Sequence, residues 1–163
     1  MCKKNNLEII VVLDNIRSMH NIGSIFRTCD AMPNCKIYLC GICATPPNKE
    51  IYKTALGATK SVKWKYFKKT ELALAYLIKN NYAIIAIEQT SNSIMLDDFS
   101  VNDRKIALIF GNEVKGISEN TIKSVKTCVQ IQQHGTKQSM NVSVVAGIVL
   151  WAITHNTTVP KIN

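Results

Sequence analysis

The sequence predicts an α/β fold in which a mostly parallel sheet carries helices on both faces. Short apolar runs typical of buried strands alternate with segments of helical periodicity along the whole chain. No internal repeat, linker or low-complexity segment interrupts this series. Polar or glycine-rich loops follow four of the strand-like runs. Because ligands bind beyond the carboxyl ends of the strands in such sheets, these loops are the expected place for a site.

Each predicted element has a local signal. The predicted strands cover residues 7–13, 37–42, 61–67, 82–87, 106–110 and 128–131. The predicted helices cover residues 50–56, 71–78, a short segment from Ser118, and the apolar segment 142–153, which is expected to be buried. A further helix opens at Asn21, because the apolar residues after it recur at helical spacing. Ser139 or Asn141 is the expected N-cap of the last helix, since either side chain can accept from a first-turn N–H group.

The bulk properties describe an ordinary globular protein. The chain has 163 residues, which suits one domain with a substantial core. Hydrophobic residues make up 47% and charged residues 19% of the sequence, which is ordinary for a soluble globular protein. No apolar run reaches about 18 residues, and the first residues lack a signal-peptide core, so we expect neither a membrane span nor a leader. The expected location is therefore the cytoplasm.

The cysteines and histidines do not predict a metal site. Cys40 and Cys43 form a CxxC pair, a spacing used by zinc and redox sites, but no second pair with zinc-finger spacing follows. His20, His134 and His155 are too widely separated to suggest a ligand set. Without a secretory signal, reduced and buried thiols are the better interpretation of the six cysteines.

Positive charge is concentrated in one stretch of the chain. The formal net charge is +9, and lysines crowd residues 53–69 with Trp64, Tyr66 and Phe67 between them. Such a mixture suits RNA or DNA, whose phosphates bind cations and whose bases stack on aromatic rings. The alternative is a solvated strand and loop. The residues expected to contact RNA are Arg17, Lys60, Lys63 and Lys65.

Four loops carry patterns that secondary structure alone does not require. Residues 21–27 begin with Asn and end with Arg at a predicted loop-to-helix junction. Residues 111–116 read Gly-Asn-Glu-Val-Lys-Gly after a predicted strand. Residues 131–135 read Ile-Gln-Gln-His-Gly and lead to Ser-Met-Asn-Val-Ser at 139–143. The run at 88–93 reads Glu-Gln-Thr-Ser-Asn-Ser.

In their order and spacing, these loops resemble the motifs of the SpoU (TrmH) family of SPOUT RNA methyltransferases. The resemblance covers nearly the whole chain. It has two mild departures, because Gln132 stands where the family usually has proline and Met140 where it usually has leucine. Met140 still supplies an apolar surface of similar size.

The resemblance implies one SPOUT domain over residues 1–163, without N- or C-terminal RNA-binding extensions. It also implies a C-terminal trefoil knot, formed where the final helix threads beneath an earlier loop, and a homodimer whose interface completes the active site. S-adenosylmethionine is the implied cofactor, bound in the knot. The implied cofactor-binding residues are Glu88, Thr90, Gly111, Gly116, Ile131 and Met140. Gly111 also suits this role physically, because a missing side chain lets the backbone approach a ligand.

The functional side chains implied by the resemblance are Asn21, Arg27, Glu113, Ser139 and Asn141. Methyl transfer to a ribose 2′-hydroxyl requires in-line alignment and control of the hydroxyl proton. Arg27 is at the position often assigned as the base, but a guanidinium stays protonated in proteins. We therefore expect Arg27 to clamp a phosphate and to stabilise the developing alkoxide. Glu113 is expected to orient Arg27 or nearby backbone, and Ser139 and Asn141 to fix loop geometry and the target nucleotide.

Simpler interpretations of these residues stay open at this point. Asn21 could be only an N-cap, and Arg27 could form a surface ion pair with Asp30. Glu113 could be an ordinary loop carboxylate.

The expected function is RNA ribose 2′-O-methylation, with tRNA as the first substrate and its D-loop guanosine as the first target. The wobble nucleotide and ribosomal RNA are alternatives within the same class. A catalytically silent, knotted RNA-binding protein is an alternative from another class. A nucleotide-binding α/β protein with a different cofactor is disfavoured, because no GxGxxG or Walker sequence follows any strand.

Overall fold

The structure, a computed structural model, describes residues 7–136 and 139–156. The strands in these ranges are β1 (Glu8–Asp14), β2 (Cys35–Cys40), β3 (Trp64–Phe67), β4 (Ala83–Ile87), β5 (Ile94–Met95), β6 (Lys105–Phe110) and β7 (Thr127–Gln130). The helices are α1 (Met19–Asp30), α2 (Lys49–Ala55), α3 (Thr70–Lys79), α4 (Glu119–Ser124) and α5 (Val142–Asn156). A 3₁₀ turn covers Leu96–Asp98.

All seven strands belong to one sheet in the order β3-β2-β1-β6-β4-β7-β5, and every neighbouring pair is parallel. The register aligns the last residues of the strands in one row: Phe67, Cys40 and Asp14, then Leu13, Phe110, Ile87 and Val129. The loops after the strands therefore meet at one side of the sheet, the carboxyl edge. The opposite side, where the strands begin, is the amino edge.

Helices cover both faces of the sheet. One buried cluster joins the strands to α1, α2 and α5 through residues such as Phe26, Ile51 and Val149. The second cluster joins the other face to α3 and α4, with Leu74 and Leu77 fully or almost fully buried. The prediction of a mostly parallel α/β sheet with helices on both faces is confirmed.

The start of α1 differs from the prediction. The helix begins at Met19 rather than at Asn21, because Ser18 is the N-cap and its hydroxyl accepts from the Asn21 N–H at 3.2 Å. Asn21 therefore lies inside the first turn, and its side chain is available for other contacts. The interpretation of Asn21 as an N-cap is wrong.

Other element ends also shift. β2 ends at Cys40 rather than residue 42, because Gly41 adopts a positive φ of 64° that ends the extended backbone. β5 and the following 3₁₀ turn were not predicted. Together they cover only residues 94–98, which is too short to show the periodicity that marks longer elements.

The last helix has the predicted cap but not the predicted burial. The Asn141 side-chain oxygen accepts from the Ser143 N–H at 2.8 Å, which confirms Asn141 as the N-cap. However, Val144, Ile148 and Trp151 are 51%, 38% and 58% exposed. These three residues form one stripe, the α5 apolar face, because they are spaced by four and three positions. Helices that are apolar on every side are usually buried, so the exposed α5 apolar face is a candidate contact surface.

The cysteines agree with the expectation of reduced thiols. All five cysteines in the described ranges are free, and four of them are buried. Burial raises the pKa of Cys40 to about 12 and that of Cys43 to about 11. Because the thiolate is the reactive form of cysteine, the raised pKa disfavours a redox use of the CxxC pair.

Candidate active site

A cavity of about 750 Å³ opens at the carboxyl edge. Its wall is made by the loops after β4, β6 and β7, with the first turns of α1 and α5. One part of the lining is apolar and includes Phe110, Val129 and Met140. Another part is polar, so the cavity can hold a ligand with both apolar and hydrogen-bonding groups.

Most of the predicted site residues line this cavity. They are Asn21, Glu88, Gly111, Glu113, Gly116, Ile131, Ser139, Met140 and Asn141. Thr90 is not among the lining residues, because it closes a turn with Ser93, whose hydroxyl donates to the Thr90 carbonyl at 2.8 Å. Arg27 lies outside this cavity as well. The parallel sheet thus brings together three of the four motif loops and the start of α1.

Glu113 connects the loop after β6 to the loop before α1. One carboxylate oxygen accepts from the Arg17 N–H and the other from the Ser18 N–H, both at 3.0 Å. The Asn21 side-chain amide donates to the second oxygen at 3.3 Å. Glu113 therefore holds the backbone that leads into α1, and it does not contact Arg27 as one of the predictions proposed.

Asn21 extends this connection to the last helix. Its side-chain oxygen accepts from the Asn141 amide at 3.1 Å, while Asn141 also caps α5. The hydrogen bonds of the Glu113–Asn21–Asn141 network thus join residues from three motifs. Asn21 is 92 positions from Glu113 and 120 positions from Asn141 in the sequence. A shared network of this kind fixes the relative position of three cavity walls.

The charge of Glu113 is maintained by its hydrogen bonds. Burial favours the neutral carboxyl, but the N–H groups of Arg17 and Ser18 and the amide of Asn21 outweigh this effect. The pKa of Glu113 is therefore held below its ordinary value. The carboxylate accepts these bonds at neutral pH and loses them only as the pH falls through the lowered pKa.

Glycine is required at two positions of the loop after β6 by the packing of the loop itself. A Cβ on Gly111 would lie 2.3 Å from the Ile117 nitrogen, and one on Gly116 would lie 2.6 Å from a Glu88 carboxylate oxygen. Gly116 also has a positive φ of 66°. The missing side chains let the loop fold back on itself, where the Ile117 N–H donates to Glu88 at 2.9 Å.

Arg27 lies in a second, separate cavity of about 470 Å³ between α1 and α2. The other residues that line it are Ser24, Thr28, Lys53 and Thr54. Arg27 is about 9 Å along the helix axis from Asn21, since a helix rises about 1.5 Å per residue. Within the described ranges it has no ion pair, and Asp30 instead accepts from the Ser61 hydroxyl at 2.5 Å. The proposed surface pair with Asp30 is therefore absent.

The four predicted RNA contacts do not lie together. Arg17 is exposed next to the larger cavity, where its backbone is held by Glu113. Lys65 lies over the Tyr76 ring, with Nζ 4.7 Å from the ring centre. Lys60 and Lys63 precede β3, which places both at the amino edge, away from the cavity.

Asn112 is a site residue that the sequence analysis missed. Its amide donates to the Asn15 carbonyl at 2.7 Å, and its side-chain oxygen accepts from the N–H groups of Val114 and Lys115 at 3.0 Å. It therefore shapes the loop after β6 and ties this loop to the one after β1. The signal was an asparagine beside a glycine, because asparagine side chains commonly close such turns.

The described part of the chain has neither a cluster of metal-ligating side chains nor a membrane-spanning helix. It contains no group of three or more His, Cys, Asp or Glu side chains that could hold a metal ion. None of the helices in residues 7–136 and 139–156 has the length and apolar character needed to cross a membrane.

Comparison with known proteins adds an independent observation. The model of the SpoU rRNA Methylase family matches residues 8–151. A tRNA (guanosine(18)-2'-O)-methyltransferase from Aquifex aeolicus is 29% identical over 91% of this chain and 70% of its own length. The 23S rRNA (guanosine-2'-O-)-methyltransferase RlmB of Neisseria meningitidis is 34% identical over 87% of this chain and 56% of its own length.

A solved structure has the same fold as this chain. The AdoMet-bound rRNA methyltransferase from Sinorhizobium meliloti superimposes with a TM-score of 0.83 at 24% identity. The match covers 89% of this chain and 55% of that protein. Since the family model spans most of the sequence and includes every motif loop, the chain belongs to the SpoU rRNA methylase family.

Proposed function

We propose that this protein transfers a methyl group from S-adenosylmethionine to a ribose 2′-hydroxyl of RNA. The observation that carries the proposal is the Glu113–Asn21–Asn141 network at the wall of the larger cavity. A protein that only binds RNA has no chemical need for three motif loops fixed around one cavity. The network brings together Glu113, Asn21 and Asn141, three of the five residues that the family resemblance assigned to function.

The larger cavity suits S-adenosylmethionine in size and chemistry. Its volume of about 750 Å³ lies within the usual range for ligand pockets, roughly 300–1,000 Å³. Two acidic residues, Glu88 and Glu113, and one basic residue, Lys115, line it, so its charge is compatible with a cationic ligand such as a sulfonium. Gly111, Gly116, Ile131 and Met140 would hold the cofactor by backbone and apolar contact. When bound, the cofactor supplies a methyl group that its sulfonium charge has already activated.

The chain's own residues would then position the RNA. Arg27 carries a permanent positive charge, so it suits a clamp on a phosphate and a partner for the developing alkoxide. Lys53 and three hydroxyl groups share its cavity, and Lys53 also pairs with Glu50 at 2.7 Å, so among the described residues Arg27 is the unpaired charge that an anion would meet there. Ser139 and Asn141 line the larger cavity and would orient the target nucleotide. The trefoil knot is part of this proposal, because the last motif loop lies against the loops after β4 and β6.

A homodimer accounts for two features of the structure. The α5 apolar face is exposed in the single chain, and a second copy would cover it. Arg27 also lies outside the larger cavity of its own chain. A dimer formed through α1 and α5, which contact each other, would bring Arg27 of the partner subunit toward that cavity.

Replacing Trp151 with glutamate is expected to convert the dimer to a monomer, because the new charge would be buried in an apolar interface. Sedimentation velocity at one protein concentration measures this change directly. Leu72→Glu is the matched control, since Leu72 is 55% exposed but lies on α3, on the other face of the sheet. A wild-type protein that sediments as a monomer would contradict the dimer.

The substrate we propose is tRNA, with the D-loop guanosine first, since the Aquifex aeolicus relative is named for guanosine 18 of tRNA. Ribosomal RNA is the second candidate, because the Neisseria meningitidis relative is named for it and is 34% identical. A cytoplasmic location is part of the proposal, as the free buried thiols suit a reducing compartment.

The test uses purified protein, methyl-labelled S-adenosylmethionine, and unmodified tRNA or ribosomal RNA, followed by nucleoside analysis. A labelled 2′-O-methylguanosine from tRNA is the expected product. A labelled 2′-O-methylpyrimidine would move the target to the wobble nucleotide. Absence of both transfer and cofactor binding, measured by calorimetry, would favour the silent RNA-binding protein and overturn the proposal.

A further inference from the structure

We infer that the RNA is held along the carboxyl edge by a surface made of Lys68, Lys69, Tyr66 and Ile42, which leads to Arg17 at the larger cavity. We call it the carboxyl-edge surface. The inference rests on the proposed function, because it names where the RNA substrate binds. It also moves the main RNA contact away from Lys60 and Lys63.

The topology places the two lysines on the cavity side of the sheet. Lys68 and Lys69 follow Phe67, which lies in the same row as Cys40 and Asp14. Lys63 lies at the other end of the same strand, roughly 16 Å away at about 3.3 Å per residue. Lys63 and Lys68 are close in sequence, but the four residues of β3 lie between them, so they are at opposite edges of the sheet.

The spacing suits an RNA strand. β3 is three strands from β6, which is about 14 Å at about 4.8 Å per strand. That distance corresponds to roughly four nucleotides of a stacked strand at about 3.4 Å each. A strand whose target nucleotide reaches the cavity would therefore place nearby phosphates beside Lys68 and Lys69.

The surface between the lysines and the cavity is held in place by side chains. The Tyr66 hydroxyl donates to the Gly41 carbonyl at 2.9 Å, and the Ile42 N–H donates to the Asn15 side chain at 3.1 Å. Asn112 ties Asn15 to the cavity loop. Because these contacts exist before RNA binds, less ordering entropy opposes binding.

A second anchor lies directly after the lysines. The Thr70 hydroxyl donates to Asp14 at 2.5 Å, and both residues are buried. This bond fixes the backbone of the turn that presents Lys68 and Lys69, while both lysine side chains are exposed.

The charges on this surface are available for an anion. Within the described ranges, Lys68, Lys69 and Arg17 form no ion pair, and Glu71, two residues beyond Lys69, is exposed and unpaired as well. Other lysines already have partners in the chain, as Lys36 does with Glu8. Tyr66 is 48% exposed, and its ring can stack with a base.

The experiment compares two charge reversals in the full chain. Lys68→Glu with Lys69→Glu is the test, and Lys60→Glu with Lys63→Glu is the control, with the same charge change in the same stretch of sequence. Binding of unmodified tRNA is measured by fluorescence anisotropy at several salt concentrations, without cofactor. We expect the test variant to bind about 10-fold or more weakly and its salt slope to be shallower by about 1.5, since two phosphate contacts are lost. The control should stay within about two-fold of wild type.

Two further measurements support the comparison: cofactor affinity shows that the variants are folded, and a substitution of Tyr66 tests the stacking ring. Cofactor affinity by calorimetry should be unchanged in both variants, because the lysines do not line the larger cavity. Tyr66→Leu removes the ring and should weaken RNA binding by about five-fold or more.

An equal loss of tRNA affinity in both lysine variants, or a larger loss in the control, would overturn the inference. Unchanged tRNA affinity in both variants would overturn it as well. None of these results would affect the proposed function. That proposal fails only if the wild-type protein neither transfers a methyl group nor binds the cofactor.

Discussion

Replacing Arg27 with alanine is expected to lower methyl transfer by about 10²- to 10³-fold, the usual effect of removing a group that stabilises developing charge. Cofactor affinity should stay within about two-fold, because the contacts proposed for Arg27 are to an RNA phosphate and the developing alkoxide rather than to the cofactor. The two quantities are measured separately, by single-turnover methyl transfer and by calorimetry. Their divergence is the signature of a residue that acts on the RNA rather than on the cofactor.

Two variants serve as comparisons for Arg27. Arg104→Ala removes an exposed arginine just before β6, at the amino edge, and should leave transfer unchanged. Arg27→Lys keeps the charge but loses the planar fork, so its activity should fall between those of wild type and Arg27→Ala. If Arg27→Ala loses cofactor affinity and transfer in equal measure, the assigned role is wrong.

Replacing Glu113 with alanine is expected to give a different pattern, in which transfer and cofactor affinity both fall. The carboxylate accepts from two backbone N–H groups, and a hydrogen bond to a charged group contributes about 1.5 kcal/mol at the weak end of the range. Loss of both corresponds to about 100-fold in transfer. Cofactor affinity should also fall, because the loop before α1 and the loop after β6 would separate at the cavity wall.

Glu113→Gln provides the conservative comparison, since it keeps one accepting oxygen and should retain part of the activity. Glu119→Gln is the matched control, because Glu119 is also close to this loop but its side chain is 90% exposed. Thermal unfolding identifies variants that have lost the fold. A Glu113→Ala protein that transfers methyl groups at the wild-type rate would show that the carboxylate is only a loop residue.

Arg27→Ala and Glu113→Ala, expressed together so that mixed dimers form, test whether the dimer completes the site. If Arg27 serves the partner's cavity, a mixed dimer contains one cavity with an intact Glu113 and an intact Arg27 of the partner subunit. Such a dimer should recover about half of the wild-type activity, since one of two symmetric sites is restored. No recovery would place both residues in the same subunit's site.

Local sequence patterns were sufficient for the order and type of most elements. Strands such as β6 and helices such as α3 were predicted to within one or two residues at each end, because burial on a regular backbone imposes a regular spacing of apolar side chains. Where the signal was short, as at β5, the prediction failed. The motif loops were also recognisable, since each pattern lies within a few consecutive residues.

The sequence alone thus determined the fold class and the set of candidate residues. Only the tertiary structure decided which of them meet. Glu113 holds backbone groups 95 and 96 positions away, Arg27 lines a separate cavity, and Lys63 and Lys68 lie at opposite edges of the sheet. The physical reason is that periodicity specifies a backbone conformation and a buried face, whereas strand order and register decide which loops share an edge.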